Sequence, residues 1–301
     1  MHEKKHTPMA SSTATAAAES RELITRKPGP AAREHVLGYR GFRFGARQPR
    51  CRLLVPDGVV KVMLGFGESV RIADAVDPRQ SVTGTSMING LRATATLGEH
   101  TGQLSGVTVM LTPIAAFRFF GVPMAELAER NLDPADLLGR EAGRLLCRLA
   151  ECRDWASRFA LLDGVFAARA QAGPECATEV VWAWRRLGRT HGRIRVADLA
   201  TETGWSRRRL ERRFREQVGL PPKQFAQVLR LQEALRLQDG GLPWAEAAAL
   251  AGYYDQAHFT RAFRDRVGCT PGRFGTRRAS SKPGDPLDFL PDQVTSVLLA
   301  E

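Results

Sequence analysis

Two short stretches of this 301-residue chain carry side chains whose types and spacing suit hydrogen bonding to nucleic-acid base edges. In the first, Arg207, Arg208, Glu211, Arg212 and Arg215 recur at helical spacing, and in the second Gln256, Ala257, Thr260, Arg261 and Arg264 do the same. An arginine can form a bidentate pair with guanine O6 and N7, and glutamine can pair similarly with adenine. Glu211 could accept from a cytosine amino group or orient Arg207, Arg208 or Arg215, three or four residues away, and the orienting role is favoured slightly. His258 has no partner motif for acid/base work and reads as a packing or phosphate-contacting residue. No catalytic residue, cofactor site or metal site is expected.

Each stretch sits in a repeated unit. Val196-Ala197-Asp198-Leu199-Ala200 through Gly204 lies over Trp244-Ala245-Glu246-Ala247-Ala248 through Gly252 at an offset of 48, which becomes 49 because Tyr253-Tyr254 stands where Trp205 stands alone. From there Ser206, Leu210, Phe214, Val218, Gly219 and Pro222 match Asp255, Phe259, Phe263, Val267, Gly268 and Pro271. The grammar is that of a helix-turn-helix. A short alanine-rich helix stops at a glycine able to adopt the left-handed conformation, and Ser206 or Asp255 then caps a second helix. Apolar residues four apart bury one face of that helix and leave the other to read DNA. Between the units, Pro222 to Gln238 reads as one helix, a rod of roughly 24 Å at ~1.5 Å per residue. A stiff spacer of that order could hold two reading helices in successive major-groove turns, ~34 Å apart.

Charge agrees. The net charge is +12, and between Trp182 and Ala279 there are 20 Lys/Arg against 9 Asp/Glu, so that one segment holds +11. Concentrated positive charge is the mark of a surface that meets phosphate. Cys51, Cys147, Cys152, Cys176 and Cys269 form no zinc pattern and no CxxC, which reads as reduced thiols in a cytosolic protein. No apolar run reaches the ~18 residues of a membrane span, and the first twenty residues lack the apolar segment of a signal peptide.

The rest of the chain divides by composition. Residues 1–33 read as a disordered arm ending in Lys27-Pro28-Gly29-Pro30. Residues 34–171 read as a separate domain. Within it, Arg52–Val55 and Val59–Leu64 around Pro56-Asp57-Gly58 suggest a hairpin, and further short strands at Ser69–Ile72, Ser81–Thr83 and Gly106–Leu111 favour a small barrel or sandwich. Helices follow, with Asp133-Pro134 as an N-cap pair and apolar stripes at Leu137, Leu138, Leu145, Leu146 and Leu149 and at Trp155, Phe159, Leu162 and Phe166. The first stripe suits internal packing more than a dimer contact. Gln171-Ala172-Gly173-Pro174 reads as a linker, 178–279 as the basic all-α domain with units at about 196–217 and 244–267, and 280–301 as a tail. The expected class is α+β: a β-rich, small barrel- or sandwich-like domain with helices, followed by an all-α tandem helix-turn-helix domain.

The run Ala251-Gly252-Tyr253-Tyr254-Asp255-Gln256-Ala257-His258-Phe259-Thr260-Arg261-Ala262-Phe263-Arg264, closing with Gly268-Cys269-Thr270-Pro271-Gly272-Arg273-Phe274, resembles the signature of the AraC/XylS family of bacterial transcription regulators. The resemblance covers about Val181 to Arg278. Leu54-Val55-Pro56-Asp57-Gly58, Gly84 and Gly106-Val107 before Pro113 resemble, more weakly, a sensor domain found in some members. The resemblance implies a regulator of the nucleoid-associated cytoplasm whose partners are double-stranded promoter DNA and RNA polymerase. It further implies that the amino-terminal domain binds a small-molecule effector or a partner, or forms a homodimer. It places base contacts at Arg208, Glu211 and Arg212 and at Ala257, Thr260 and Arg261, with Gln256 nearby. Ala257 offers only a methyl group, so the first unit is expected to dominate affinity. The competing reading is a DNA-alkyl repair enzyme carrying the same module, but none of the five cysteines stands in a Pro-Cys-His-Arg context.

Overall fold

The computed structural model describes residues 20–45, 49–280 and 293–299. Its amino-terminal part is built on two antiparallel sheets. The strands are β1 (Ser20–Arg26), β2 (Val36–Gly45), β3 (Arg50–Leu54), β4 (Val60–Gly65), β5 (Val70–Asp74), β6 (Ser81–Gly84), β7 (Met87–Asn89), β8 (Thr96–His100), β9 (Gln103–Leu111) and β10 (Asn131–Leu132), with β11 (Ser296–Leu299) arriving from the far end of the chain. One sheet runs β1-β2-β9-β4-β7-β10 and the other β11-β3-β8-β5-β6. The β-rich architecture is as the sequence predicts.

Three details differ. The Pro56-Asp57-Gly58 turn does not make a hairpin, because β3 pairs with β8 and β11 while β4 pairs with β9 and β7. It is a corner between the sheets: the Asp57 carboxylate accepts from Val59 N at 3.2 Å and pairs with Lys61 on the strand it starts. Residues 20–33, read as part of an arm, are structured. β1 pairs along β2 from Ser20↔Gly45 to Arg26↔Tyr39. Asp163 then receives Gly29 N at 3.1 Å and the Tyr39 hydroxyl at 2.7 Å. The tail likewise contributes β11, although residues 281–292 and 1–19 lie outside the described residues.

Helices cover the outer face of the first sheet. In this part of the chain α1 (Pro113–Phe120) is capped by Thr112, α2 (Pro134–Leu138) by Asp133 and α4 (Trp155–Ala172) by Asp154, while Gly139, at φ 56°, separates α2 from α3 (Arg140–Glu151). Along β4 the side chains of Val60, Val62 and Leu64 turn towards these helices, and Lys61 and Met63 turn towards the other sheet. The leucine stripe is used internally, with Leu145 and Leu149 buried against Phe159, Leu162 and Phe166.

The remaining helices are α5 (Thr178–Arg189), α6 (Val196–Thr203), α7 (Arg207–Val218), α8 (Pro222–Asp239), α9 (Trp244–Leu250), α10 (Gln256–Val267) and α11 (Pro271–Ala279). They do not form an isolated core. One cluster runs from Val62 and Phe120 through Met124 to Phe214, Phe225 and Val228, and a second joins Leu53 and Val55 to Leu235, Phe259 and Phe263. The stretch read as a linker is packed too: a Cβ on Gly173 would stand 1.7 Å from the Arg118 carbonyl oxygen. The separate core expected for residues 34–171 is therefore replaced by shared ones.

Candidate nucleic-acid interface

Each reading helix is set by a turn and a cap. Gly204 ends α6 at φ 68°, and Ser206 accepts from Arg209 N at 3.3 Å to start α7. Gly252, at φ 85°, follows α9, and Asp255 accepts from His258 N at 2.6 Å to start α10. These glycines occupy the left-handed region, where any larger residue is strained. Below the caps, Leu210, Phe214 and Val218 are buried along α7, and Phe259, Phe263 and Val267 along α10. The Phe263 ring lies 5.5–5.6 Å from those of Phe259, Trp244 and Phe274, which fixes α10 against its own unit.

The opposite faces carry the side chains singled out in the sequence. Arg207, Arg208, Arg212 and Arg215 are exposed on α7, with Glu211 half-buried among them. Gln256, Ala257, Arg261 and Arg264 are exposed on α10, with Thr260 half-buried. Glu211 accepts from Arg207 Nε at 2.9 Å. By contrast Arg208, Arg212, Arg215, Arg261 and Arg264 have no ion-pair partner among the described residues. A row of unpaired guanidiniums standing off capped helices is a ready set of donors for phosphate and base edges.

Two features of the turns were not singled out in the sequence reading. Tyr254, just before the Asp255 cap, is 92% exposed, so an aromatic ring projects beside α10. In the first unit the Arg209 guanidinium lies 4.4 Å from the Trp205 ring centroid and is held there by the ring face. The extra residue of Tyr253-Tyr254, already visible in the change of repeat offset, was the available signal for the first. His258 is exposed; its Nδ1 accepts from Tyr254 N at 3.5 Å and its ring packs edge-on to Tyr253.

A second candidate site lies between the two sheets. It is a pocket of about 160 Å³, apolar on the sides of Phe42, Leu54 and Ile72, with Arg40, Arg52 and His100 on its wall. Arg40 is only 5% exposed. Burial, then Arg52 and Arg50, push the His100 imidazole down to about 4, and its Nδ1 accepts from Gly102 N at 3.1 Å. The pocket is thus cationic with a neutral histidine. Below pH 6.5 the unfolded chain takes up a proton that folded His100 refuses, so stability is full above pH 6.5 and falls as the pH drops towards 4. Allowing for partial solvent screening, His100→Gln should remove about 1–2 kcal/mol of the stability lost between pH 7 and pH 5. Denaturant melts of both proteins at the two pH values check this.

Three of the cysteines are held as thiols. Burial raises the thiols of Cys51, Cys269 and Cys176, the last to about 11. A nucleophilic thiolate needs the opposite shift. Among the described residues no group of three His, Cys, Asp or Glu side chains could hold a metal ion, and no helix is long and apolar enough to cross a membrane.

Residues 199–277 match the helix-turn-helix domain family, a span that holds both turns, both caps and both reading helices. The chain is 31% identical over 94 residues to the probable transcription factor PqrA of Proteus vulgaris, covering 31% of this chain and 76% of that one. The chain belongs to the AraC/XylS family. AraC/XylS proteins carry such a helix-turn-helix domain as their DNA-binding part, and residues 199–277 are the part of this chain that matches it. A further relative, the uncharacterized HTH-type transcriptional regulator YbfI of Bacillus subtilis, is 35% identical over 65 residues, 22% of this chain; the chain spans 24% of that relative's length. Among solved structures, ToxT from Vibrio cholerae O395 is similar over 75% of this chain and 96% of that one, at 11% identity and a TM-score of 0.43.

Proposed function

We propose that this AraC/XylS chain is a sequence-specific transcription regulator of the cytoplasm, bound at promoters of the nucleoid, that uses α7 and α10 as two reading heads. The observation that carries this is the row of exposed, unpaired arginines on both capped helices. Arg208, Arg212 and Arg215 serve the first half-site with Glu211 orienting Arg207, while Gln256, Ala257, Thr260, Arg261 and Arg264 serve the second. RNA polymerase is the partner that converts occupancy into output, and a second copy of the chain is a further partner. The β-rich half holds a small effector. Its pocket chemistry, with Arg40 and Arg52 over Phe42, Leu54 and Ile72, suits an anionic group on an apolar body. An effector regulates only if it prefers one conformation of the chain over another.

Two measurements test this reading. Mapping the full chain on its own genome should give discrete promoter sites, with transcripts from those promoters changing when the gene is deleted. Binding to such a site should weaken steeply as salt rises, because each phosphate contact releases counterions. Uniform occupancy with no transcript change would contradict the reading.

A further inference from the structure

The carboxy-terminal strand joins the two halves of the chain in a way that the reading of DNA does not require. β11 closes the edge of the second sheet against β3, with Ser296↔Leu54, Val297↔Leu53, Leu298↔Arg52 and Leu299↔Cys51 opposite one another. Val55 N donates to Thr295 O at 3.0 Å. On its other side the same segment is held by the spacer helix α8 and by α11, the helices that flank the second reading unit. Gln232 of α8 donates to Val294 O at 2.9 Å and to Pro56 O at 2.7 Å, and Arg278 of α11 donates to Ser296 O at 3.3 Å. Val294 and Val297 are buried in one cluster with Phe259, Phe263 and Phe274. Ala95 N adds a bond of 2.6 Å to the Arg266 carbonyl in the last turn of α10.

This contact contains polar defects. Gln232 Oε1, Gln293 Oε1 and Arg266 Nε are buried without a hydrogen-bond partner among the described residues. Unpaired buried polar atoms are unfavourable and regain water when a contact opens, so an interface holding several of them is suited to reversible docking. The strap also touches the effector pocket at one remove, since Arg52 and Leu54 of β3 line it. The first reading unit is seated separately, where Gly219 after α7 meets Met124. Both units are therefore pinned to a third body, a constraint that two grooves of a duplex do not share.

We propose that residues 293–299 are a strap that holds the second helix-turn-helix unit in a resting orientation on the β-rich half, and that DNA binding draws the unit off that half together with the strap, peeling β11 from β3. The proposal rests on the regulator reading. It follows by linkage that fixing the strap in place weakens DNA binding, and that DNA disfavours the docked strap by the same factor.

The native Cys51 makes the test direct. Leu299→Cys places a thiol opposite it across an antiparallel pair, where Cα atoms lie about 4.5–5.5 Å apart, within the ~4.4–6.8 Å range of disulfides. Mild oxidation of the full chain should link the two positions, seen as one cross-linked peptide by mass spectrometry and lost with Cys51→Ser. The DNA probe is a duplex selected from a random pool by the reduced wild-type protein. The oxidised variant should bind it at least tenfold more weakly than the same protein after reduction, and the duplex should slow disulfide formation. A bond that does not form overturns the strap, as does equal or tighter binding by the locked form. A reduced protein that selects no duplex overturns the regulator reading and the strap with it.

Discussion

Arg212→Ala and Arg261→Ala should each weaken binding to the selected site by about 1–3 kcal/mol, a loss of roughly five- to more than a hundredfold. The expectation follows from placement. Both side chains are exposed on capped helices, on the face opposite Phe214 and Phe263, with no ion-pair partner among the described residues. The two variants should also relax preference at different positions, about one helical turn of DNA apart, because α7 and α10 are separate heads on one spacer. Arg207→Ala makes the contrast. Its guanidinium is paired with Glu211, so its removal frees that carboxylate beside the DNA and the outcome mixes two effects. Binding selections with each protein give the affinity and the position of the change together. Unchanged preference in both alanine variants would mean that the reading face has been assigned to the wrong side of these helices.

Phe263→Ala should destabilise the whole chain by about 3–5 kcal/mol, a large part of the ~5–15 kcal/mol that holds a typical domain folded. Phe263 is fully buried, with the rings of Phe259, Trp244 and Phe274 around it, so truncation leaves a cavity that rigid neighbours cannot fill. Phe263→Leu retains most of the volume and should cost about 1–2 kcal/mol. The same cluster includes Leu53 and Val55 from the β-rich half and Val297 from the strap. Unfolding by urea should therefore remain one transition with a lower midpoint and an unchanged slope. A variant in which the second unit melts alone, ahead of the β-rich half, would show that the shared cluster contributes little to holding the halves together.

What the sequence made legible was local. The Gly204 and Gly252 turns, the Ser206 and Asp255 caps, and the four-residue spacing of Leu210, Phe214 and Val218 act within a few residues of themselves, and the structure has each in place. The repeat supplied a second copy to compare. Long-range pairing was not legible. Pro56-Asp57-Gly58 reads as a turn in any setting, but whether its flanking strands pair with each other depends on β8, β9 and β11, which compete for the same edges. Likewise Leu23 and Ile24, or Val297 and Leu298, are too short as apolar runs to declare strands without the partners they meet in β2 and β3. Leu231 and Leu235 on α8 showed an apolar face, but nothing in one sequence tells that face to share a cluster with Leu53 and Val55. The shared cores, the pocket wall and the strap all come from such pairings.

The proposed reading heads α7 and α10 span two successive major-groove segments. Guanine N7 methylation interference on the selected duplex, with full-length protein, measures this most directly. Two clusters of interfering guanines are expected, centred about 10 base pairs apart on one face of the DNA, one fading with Arg212→Ala and the other with Arg261→Ala. A single cluster, or two that both fade with either variant, would contradict it.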